Sequence, residues 1–287
     1  MILVVGLSPA WQRTLTFEDF TLRKVNRAKY VSETASGKGV NVVRVAKQLG
    51  ASVRLLTVAG GRRGDQLQRS LKEQGIDARI VRVKSETRIC QTLLADGTVT
   101  ELVEEAGPMS RSEVRAVEVR FASEIGNAKV LVLTGTVPRG CGDDFYARLI
   151  RKARAAGVPV LIDAQAKQLM NAVKAKPSVV RINRDEFRAV PKLTRDCGEW
   201  FVISDGAQSV SVHHGSKTIL LAPPRVKLVN SIGSGDAMLA GIACGLLRGQ
   251  TTAESVRLGI ACGAANAMTP TPGFVRLADV KRLLKRI

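Results

Sequence analysis

A glycine-rich turn runs directly into an aspartate at Gly233-Ser234-Gly235-Asp236, and these residue types together suit phosphoryl transfer. A helix that begins near Asp236 leaves its first backbone N–H groups without intrahelical partners, and the two glycines allow those donors to converge on an anion. Asp236, beside that anion pocket, could accept the proton of a hydroxyl as it attacks a γ-phosphate. A single Gly-x-Gly-Asp sequence is also typical of an aspartate that only caps a helix, so other segments must decide between the two interpretations.

Two common nucleotide-binding fingerprints do not fit the glycine-rich segments. Gly37-Lys38-Gly39 lacks the Ser or Thr that follows the lysine of a P-loop. Gly233-Ser234-Gly235 is followed by Asp-Ala-Met where a dinucleotide fingerprint requires its third glycine. Neither standard fingerprint therefore accounts for these turns.

The composition restricts the class of protein. The chain has 287 residues, enough for one large α/β domain or for a domain with an elaboration. Its net charge of +19 favours polyanions, either nucleic acid or small phosphorylated substrates and nucleotides. Aromatic residues make up only 4%, too few for base-stacking platforms, which argues against nucleic acid. The five cysteines are widely spaced and the only histidines are His213 and His214, which argues against a zinc site or a disulfide framework.

The apolar segments bear on cellular location and on membrane association. No run of about 18 apolar residues occurs, and the N-terminal apolar run has no charged residues before it. We therefore expect a soluble cytoplasmic protein that does not bind a membrane.

Strand-like runs recur before turn signals and helical patterns, at residues 2–5, 53–58, 130–133, 158–162, 179–182 and 201–204. This alternation predicts an α/β fold with a mostly parallel sheet flanked by helices. The stretch from Val42 to Leu49 has apolar residues at helical spacing, so we expect an amphipathic helix packed on that sheet.

Two segments, residues 13–35 and 87–106, do not follow this alternation of strands and helices. Within the second, two strand-like runs flank the hairpin turn Ala95-Asp96-Gly97. We expect the two segments to form a small discontinuous β-sheet that acts as a lid and excludes water from a cleft. The predicted boundaries are 9–35 and 87–108 for this lid, and 1–8, 36–86 and 109–287 for the α/β domain that binds nucleotide and substrate.

An ordered series of motifs runs along nearly the whole chain: Ser8-Pro9-Ala10, Gly37-Lys38-Gly39-Val40-Asn41, Thr87-Arg88, Thr100-Glu101, residues 134–140, Asn183-Arg184-Asp185-Glu186, Ser204-Asp205-Gly206 and Gly233-Ser234-Gly235-Asp236. In this order they resemble the ribokinase-like (PfkB) family of ATP-dependent sugar kinases, particularly the branch similar to 1-phosphofructokinase and tagatose-6-phosphate kinase. The resemblance implies a ribokinase-like sheet with a β lid, ATP and Mg²⁺ as cofactors, and a homodimer formed through the lid.

The resemblance also implies roles for individual residues on the catalytic and nucleotide side. Asp236 resembles the catalytic base, with the amides of Ser234, Gly235 and Asp236 as an anion hole that follows Gly233. Asn183 and Glu186 resemble a pair near the metal and the triphosphate, where Glu186 would position Mg²⁺ through water. Without the resemblance, Asn183-x-x-Glu186 is typical of a strand exit and helix start.

On the same side, Ser204 and Gly206 would lie under the nucleotide. Asn266 belongs to a small-residue helix, residues 261–266, that is expected against the adenine. Close helix packing explains such a stretch equally well.

On the sugar side, Gly37, Gly39 and Asn41 should face the substrate, because absent side chains admit a sugar and an amide both donates to and accepts from hydroxyls. The cations expected for a phosphate already on the sugar are Lys38, Arg88 and Arg139, although each alone would be typical of a solvated surface charge.

Two positions depart from the family pattern. Gln12 stands where the family typically has an acid that binds sugar hydroxyls, and Arg181-Ile182 replaces the usual Lys-Pro before Asn183. The expected reaction is the phosphorylation of a ketohexose phosphate (fructose 1-phosphate, tagatose 6-phosphate or fructose 6-phosphate) by ATP to a bisphosphate. Two alternatives stay open: a kinase of an unphosphorylated sugar or nucleoside, and a catalytically weakened relative that binds a sugar phosphate or nucleic acid.

Overall fold

The structure is a computed structural model that describes residues 1–190, 193 and 198–287. Its strands are β1 (Ile2–Val5), β2 (Ala10–Thr16), β3 (Tyr30–Ser36), β4 (Val53–Ala59), β5 (Ala78–Arg82), β6 (Arg88–Ala95), β7 (Thr98–Val103), β8 (Val130–Thr134), β9 (Val160–Asp163), β10 (Val179–Asn183), β11 (Trp200–Asp205), β12 (Ser209–His214) and β13 (Lys217–Leu221). Its helices are α1 (Lys38–Gln48), α2 (Gly61–Glu73), α3 (Arg111–Ile125), α4 (Phe145–Ala155), α5 (Ala166–Val173), α6 (Arg184–Arg188), α7 (Ser234–Leu247), α8 (Thr252–Ala267) and α9 (Leu277–Leu284).

The larger sheet has the strand order β13-β12-β11-β10-β9-β8-β1-β4-β5. Every pairing from β11 to β5 is parallel, and only β12 and β13 join antiparallel at one edge. The predicted mostly parallel sheet is therefore confirmed, and all six predicted strands belong to it. Sequence reasoning missed β5, β12 and β13, which lie at the two edges. These three strands bury fewer apolar side chains and contain charged or polar residues that interrupt the apolar run, so their pattern is weaker.

Two apolar cores cover the two faces of the larger sheet, because successive strand residues point to opposite sides. Ile2 and Val4 of β1 belong to the core that includes α1, α7 and α8, whereas Leu3 and Val5 belong to the core that includes α3, α4 and α5. Helix α1 begins at Lys38, inside the Gly37-Lys38-Gly39 turn that was predicted to precede it, and it packs on the sheet as predicted. The carboxyl ends of the parallel strands consequently meet the amino ends of α1, α6 and α7 at one edge.

The smaller sheet has the order β3-β2-β6-β7, and β2 and β6 pair in parallel while its two outer pairs are antiparallel. The two segments that were predicted to form a separate sheet thus do so. The hairpin turn between β6 and β7 falls on Asp96 and Gly97, both with positive φ, as a tight hairpin requires. At the base of this sheet, Ala10 pairs with both Ser36 and Arg88, next to the start of α1. The domain boundaries and the lid function stay predictions.

Four cysteines, Cys90, Cys141, Cys244 and Cys262, are buried and free, while Cys197 lies outside the described residues. None of the helices in the described ranges combines the length and the apolar character needed to cross a bilayer.

Candidate active site

The turn before α7 presents backbone donors at the sheet edge. Gly233 has a φ of 79°, the left-handed region in which glycine is favoured, and it precedes the first helical residue. The N–H of Ser234 donates to the carbonyl of Ser231 at 3.2 Å. Among the described residues, no acceptor binds the N–H of Gly235 or Asp236. Two of the three amides predicted to form an anion hole are therefore free to bind an anion.

Asp236 is buried beside these donors, and its carboxylate accepts a hydrogen bond from Asn41 Nδ2 at 2.8 Å. Burial raises the pKa of Asp236 to about 6, and the neighbouring carboxylate of Asp163 acts in the same direction. The cations of Lys38 and Arg181 and the Asn41 donor oppose that rise. The result is a carboxylate that is ionised at neutral pH yet more basic than an exposed aspartate, which suits a proton acceptor.

Three charged side chains near Asp236 are joined by ion pairs, with Asp163 between Lys38 and Arg181. Lys38 Nζ is 2.7 Å from one oxygen of Asp163, and Arg181 Nη1 is 2.7 Å from the other. Arg181 Nη2 also donates to Ser204 Oγ at 2.8 Å. Burial alone would raise the pKa of Asp163, but the two cations outweigh it and hold that pKa below its ordinary value.

Sequence reasoning missed Asp163 altogether. The available signal was its position directly after a predicted parallel strand, since ligand sites of open α/β sheets lie at the carboxyl ends of strands.

Asn183 and Glu186 form a reciprocal cap at the start of α6. The Glu186 N–H donates to Asn183 Oδ1 at 2.8 Å, and Glu186 Oε2 accepts the Asn183 N–H at 2.9 Å. Glu186 Oε1 accepts from Gln165 Nε2 at 2.9 Å and lies 3.9 Å from Lys38 Nζ. The strand exit and helix start that the sequence also indicated is therefore present, and the same two side chains line the cavity described below.

The smaller sheet contributes Gln12 and Arg88. Gln12 is buried, and its Nε2 donates to Thr92 Oγ1 at 2.8 Å. Arg88 donates through Nη2 to the carbonyl of Ser8 at 3.0 Å and through Nη1 to the carbonyl of Glu104 at 2.8 Å. Its Nε is buried without a partner among the described residues. Arg88 thus joins the loop after β1 to the chain that leaves β7.

A cavity of about 470 Å³ lies between the two sheets. The predicted residues that line it are Gln12, Gly37, Lys38, Asn41, Arg88, Asn183, Glu186, Gly233, Gly235 and Asp236. Glu101, Glu105, Gln165 and Arg181 line it as well. Acid, helix donors, cations and the smaller sheet therefore converge on one volume, which is large enough for a small substrate.

Gly39 and Arg139 lie elsewhere. Gly39 is buried, and a Cβ there would be 3.1 Å from the Cα of Gly6, so its missing side chain makes room for the backbone that follows β1. Arg139 is exposed and lines an adjacent cavity of about 370 Å³ that shares Glu105 and Thr136 with the first. Gly39 therefore does not line the main cavity, and a contact between Gly39 and the sugar stays a prediction.

Ser204, Gly206 and Asn266 do not line the main cavity. Ser204 supports Arg181, and Gly206 lies in the exposed turn between β11 and β12 with a φ of 52°. Asn266 is fully buried, where its Nδ2 donates to the carbonyl of Ile232 at 2.8 Å and its Oδ1 accepts the N–H of Gly273 at 2.8 Å. In this structure Asn266 positions the turn before α7, and contacts of these three residues with a nucleotide stay predictions.

The side chains around Glu186 are compatible with a metal ion whose ligands are mostly water molecules and substrate phosphate oxygens. Within the described ranges, no three His, Cys, Asp or Glu side chains come together as a ready-made metal site. Both oxygens of Glu186 already accept hydrogen bonds, and both oxygens of Asp163 face cations. Mg²⁺ keeps several waters and binds substrate phosphates in such sites, so a water-mediated contact with Glu186 is compatible with this arrangement.

A buried carboxylate, beside helix N–H groups that have no acceptor among the described residues and under a small second sheet, is an arrangement suited to phosphoryl transfer. The chain belongs to the pfkB family of carbohydrate kinases, whose model matches residues 2–274, and the family predicted from the motifs is confirmed. A tagatose-6-phosphate kinase of Staphylococcus epidermidis is 30% identical over 305 residues, covering 100% of this chain and 98% of that protein.

Solved structures show the same fold. Phosphofructokinase-2 of Escherichia coli, in complex with potassium, superposes with a TM-score of 0.90 at 22% identity and covers 99% of this chain and 98% of its own. A ribokinase of Thermotoga maritima superposes with a TM-score of 0.79 at 19% identity and covers 99% of each chain. The predicted ribokinase-like fold is confirmed.

Proposed function

We propose that this carbohydrate kinase transfers the γ-phosphoryl group of ATP to a hydroxyl of a ketohexose phosphate and releases a bisphosphate. The observation that carries the proposal is the buried Asp236, whose carboxylate lies beside the N–H groups at the start of α7, in a cavity that Arg88 lines from the smaller sheet. The similarity to a tagatose-6-phosphate kinase over the whole chain supports this class of substrate.

Asp236 performs the proton transfer. Its raised pKa of about 6 keeps it ionised at neutral pH while it remains basic enough to accept a proton from an attacking hydroxyl. Asn41 holds one carboxylate oxygen and thereby orients the other. The N–H groups of Gly235 and Asp236 receive the charge that spreads over the phosphoryl oxygens in a loose transition state. Mg²⁺, when bound near Glu186, would neutralise triphosphate charge.

Arg88 is the best-placed cation for the phosphate already on the sugar. Its guanidinium spans the gap between the loop after β1 and the chain that leaves β7, and its Nε donor has no partner in the part of the chain that the structure describes. Lys38, predicted as a second clamp, is held by Asp163 in the structure, so it serves the sugar phosphate only if that ion pair exchanges. Arg139 would reach a phosphate from the adjacent cavity.

The smaller sheet is proposed to act as a lid, with boundaries 9–35 and 87–108, and as the surface of a homodimer. Its outer strands β3 and β7 expose Tyr30, Val31, Leu102 and Val103, each more than two-fifths accessible. Exposed edges and apolar faces of this kind are normally covered. A strictly monomeric mass across micromolar concentrations in analytical ultracentrifugation rules out this dimer.

An ATP-consumption assay coupled to ADP detection, run over phosphorylated and free sugars, tests the substrate class. We expect turnover with fructose 1-phosphate, fructose 6-phosphate or tagatose 6-phosphate, and poor turnover with free fructose or nucleosides. A preference for free sugars or nucleosides contradicts the proposal. No turnover, combined with salt-dependent binding of RNA or duplex DNA, favours the catalytically weakened relative. ATP as donor also implies a cytoplasmic location, which cell fractionation tests.

A further inference from the structure

Arg44 is a partly buried cation of α1 that lies outside the catalytic cavity. Its guanidinium donates from Nη2 to the carbonyl of Ala35 at 2.8 Å, from Nη1 to the carbonyl of Pro272 at 2.9 Å and from Nε to Gln74 Oε1 at 2.9 Å. Among the described residues no carboxylate forms an ion pair with it, and burial lowers the pKa of Arg44 to about 10. A charge buried without a counter-ion is costly, and the planar guanidinium directs donors to several acceptors at once. Arg44 therefore holds three separate segments of the chain together.

The first of these segments is the end of β3, where the smaller sheet leads into α1. The Ala35 N–H donates to Ser70 Oγ at 3.2 Å. Gln74, at the end of α2, donates from Nε2 to Thr34 Oγ1 at 3.2 Å and to Ser70 Oγ at 3.0 Å. The last residues of β3 are thus fixed to α1 through Arg44 and to the end of α2.

The second segment, Pro272-Gly273, lies between two parts of the active site. A Cβ at Gly273 would be 2.7 Å from the Cα and 3.0 Å from Oδ1 of Asn41, whose Nδ2 donates to Asp236. A Cβ at Gly233 would be 2.8 Å from the nitrogen of Gly273. Because these approaches leave no room for a side chain, the segment packs directly against Asn41 and against the turn before α7. The Asn41 amide is thereby held with Oδ1 beside Gly273 and Nδ2 at Asp236.

We propose that Arg44 is a positioning residue for phosphoryl transfer. By holding Ala35 and Pro272 at once, it keeps Asn41 and the turn before α7 in their catalytic arrangement and couples that arrangement to the end of the smaller sheet. The proposal rests on the proposed kinase activity. Coupling of this kind requires that the two segments respond together when the link is cut. The competing explanation is that Arg44 only stabilises the fold, which predicts a lower Tm without a change at Asp236.

The first test follows kcat and the acid limb of kcat/KM in Arg44→Met and Arg44→Lys. Lysine keeps the charge, but its single nitrogen does not span the three acceptors. A displaced Asn41 stabilises the ionised Asp236 less, so we expect kcat of both folded variants to fall by roughly tenfold and the acid limb to rise by roughly 0.5–1 pH unit. Lys47→Met is the matched control, because Lys47 lies on the same helix and donates to the carbonyls of Gln74 and Gly75 rather than to Ala35 or Pro272. This control should leave kcat and the acid limb unchanged.

Hydrogen exchange measured by mass spectrometry needs no substrate and therefore separates this proposal from the substrate assignment. The probes are the hydrogen-bonded amides of residues 30–36, in β3, and of residues 229–237, around the turn before α7. We expect Arg44→Met to speed exchange in both peptides together by roughly tenfold, and Lys47→Met to speed it in neither.

The outcomes distinguish the two proposals. If the wild type turns over no sugar phosphate but Arg44→Met loosens both peptides together, the substrate proposal fails and the positioning role of Arg44 stands. If folded Arg44→Met leaves exchange of residues 229–237 within twofold of wild type, or keeps its acid limb within about 0.3 pH units, Arg44 only stabilises the fold.

Discussion

Asn41→Leu offers the sharpest test of the environment of the proposed base. The substitution keeps a similar side-chain volume but removes the donor that lies 2.8 Å from Asp236 Oδ2. A hydrogen bond to a charged group contributes roughly 1.5–3 kcal/mol, and one pKa unit corresponds to about 1.36 kcal/mol. The donor stabilises the ionised carboxylate, so its loss should raise the pKa of Asp236 from about 6 by roughly one to two units.

The sign of the effect on activity follows from the role of the base. Asp236 accepts a proton only when ionised, so activity is lost as the pH falls through its pKa. At pH 7 the variant should therefore lose roughly two- to tenfold of kcat/KM through protonation, and this part of the loss should disappear near pH 9. Lys38, Arg181 and Asp163, the other charged groups that face Asp236, are unchanged by the substitution.

The assay is the pH profile of kcat/KM from pH 5 to 9 for wild type and variant, with circular dichroism as the check on folding. Phosphate groups of the substrates titrate near pH 6 themselves, but they contribute equally to both enzymes. The decisive quantity is therefore the difference in pH between the acid limbs of the wild-type and variant kcat/KM profiles. If a folded Asn41→Leu enzyme has an acid limb within about 0.3 pH units of wild type, the carboxylate controlling activity is not the one that Asn41 contacts.

Three other substitutions test the remaining parts of the site. Asp236→Asn should lower kcat by roughly 10²–10⁴ with little change in ATP affinity, and near-normal kcat would reject Asp236 as the base. Gly235→Ala should lower turnover on the order of 10²-fold because the added methyl collides with the clamped Arg181 guanidinium, whereas Gly126→Ala, where a Cβ meets open space, should be neutral. Arg88→Ala should raise KM for the sugar phosphate by about one to two decades and leave KM for ATP nearly unchanged, as steady-state kinetics on both substrates would show. Equal changes in both KM values would instead indicate general loosening of the smaller sheet.

Much of the fold could be predicted because its signals are local. Buried parallel strands are continuous apolar runs, and all six that were predicted lie in the larger sheet. Strand β12 was missed because Val210 and Val212 are its only apolar residues, and the polar Ser211 and His213 beside them are buried although their types do not predict burial. The hairpin at Asp96-Gly97 was recognised because its residues themselves permit the required positive φ.

Glycines illustrate the limit of such local inference. From the sequence, both Gly37 and Gly39 were predicted to make room for a substrate. Of the two, only Gly37 lines the cavity, whereas Gly39 makes room for Gly6, directly after β1. A glycine in the sequence indicates that another group can approach the backbone closely there, but not whether that group is a substrate or another part of the protein.

The sequence by itself determined the family, the mostly parallel sheet and the helix start at 233–236, where backbone donors and a carboxylate are neighbours along the chain. Only the tertiary structure decided the partners of the charged groups. Lys38 and Asp163 are 125 residues apart, and they meet because α1 begins where β9 ends, at the same edge of the sheet. An ionisable side chain takes its partner and its pKa from whatever the fold brings within a few ångströms, and that proximity has no counterpart in local residue order.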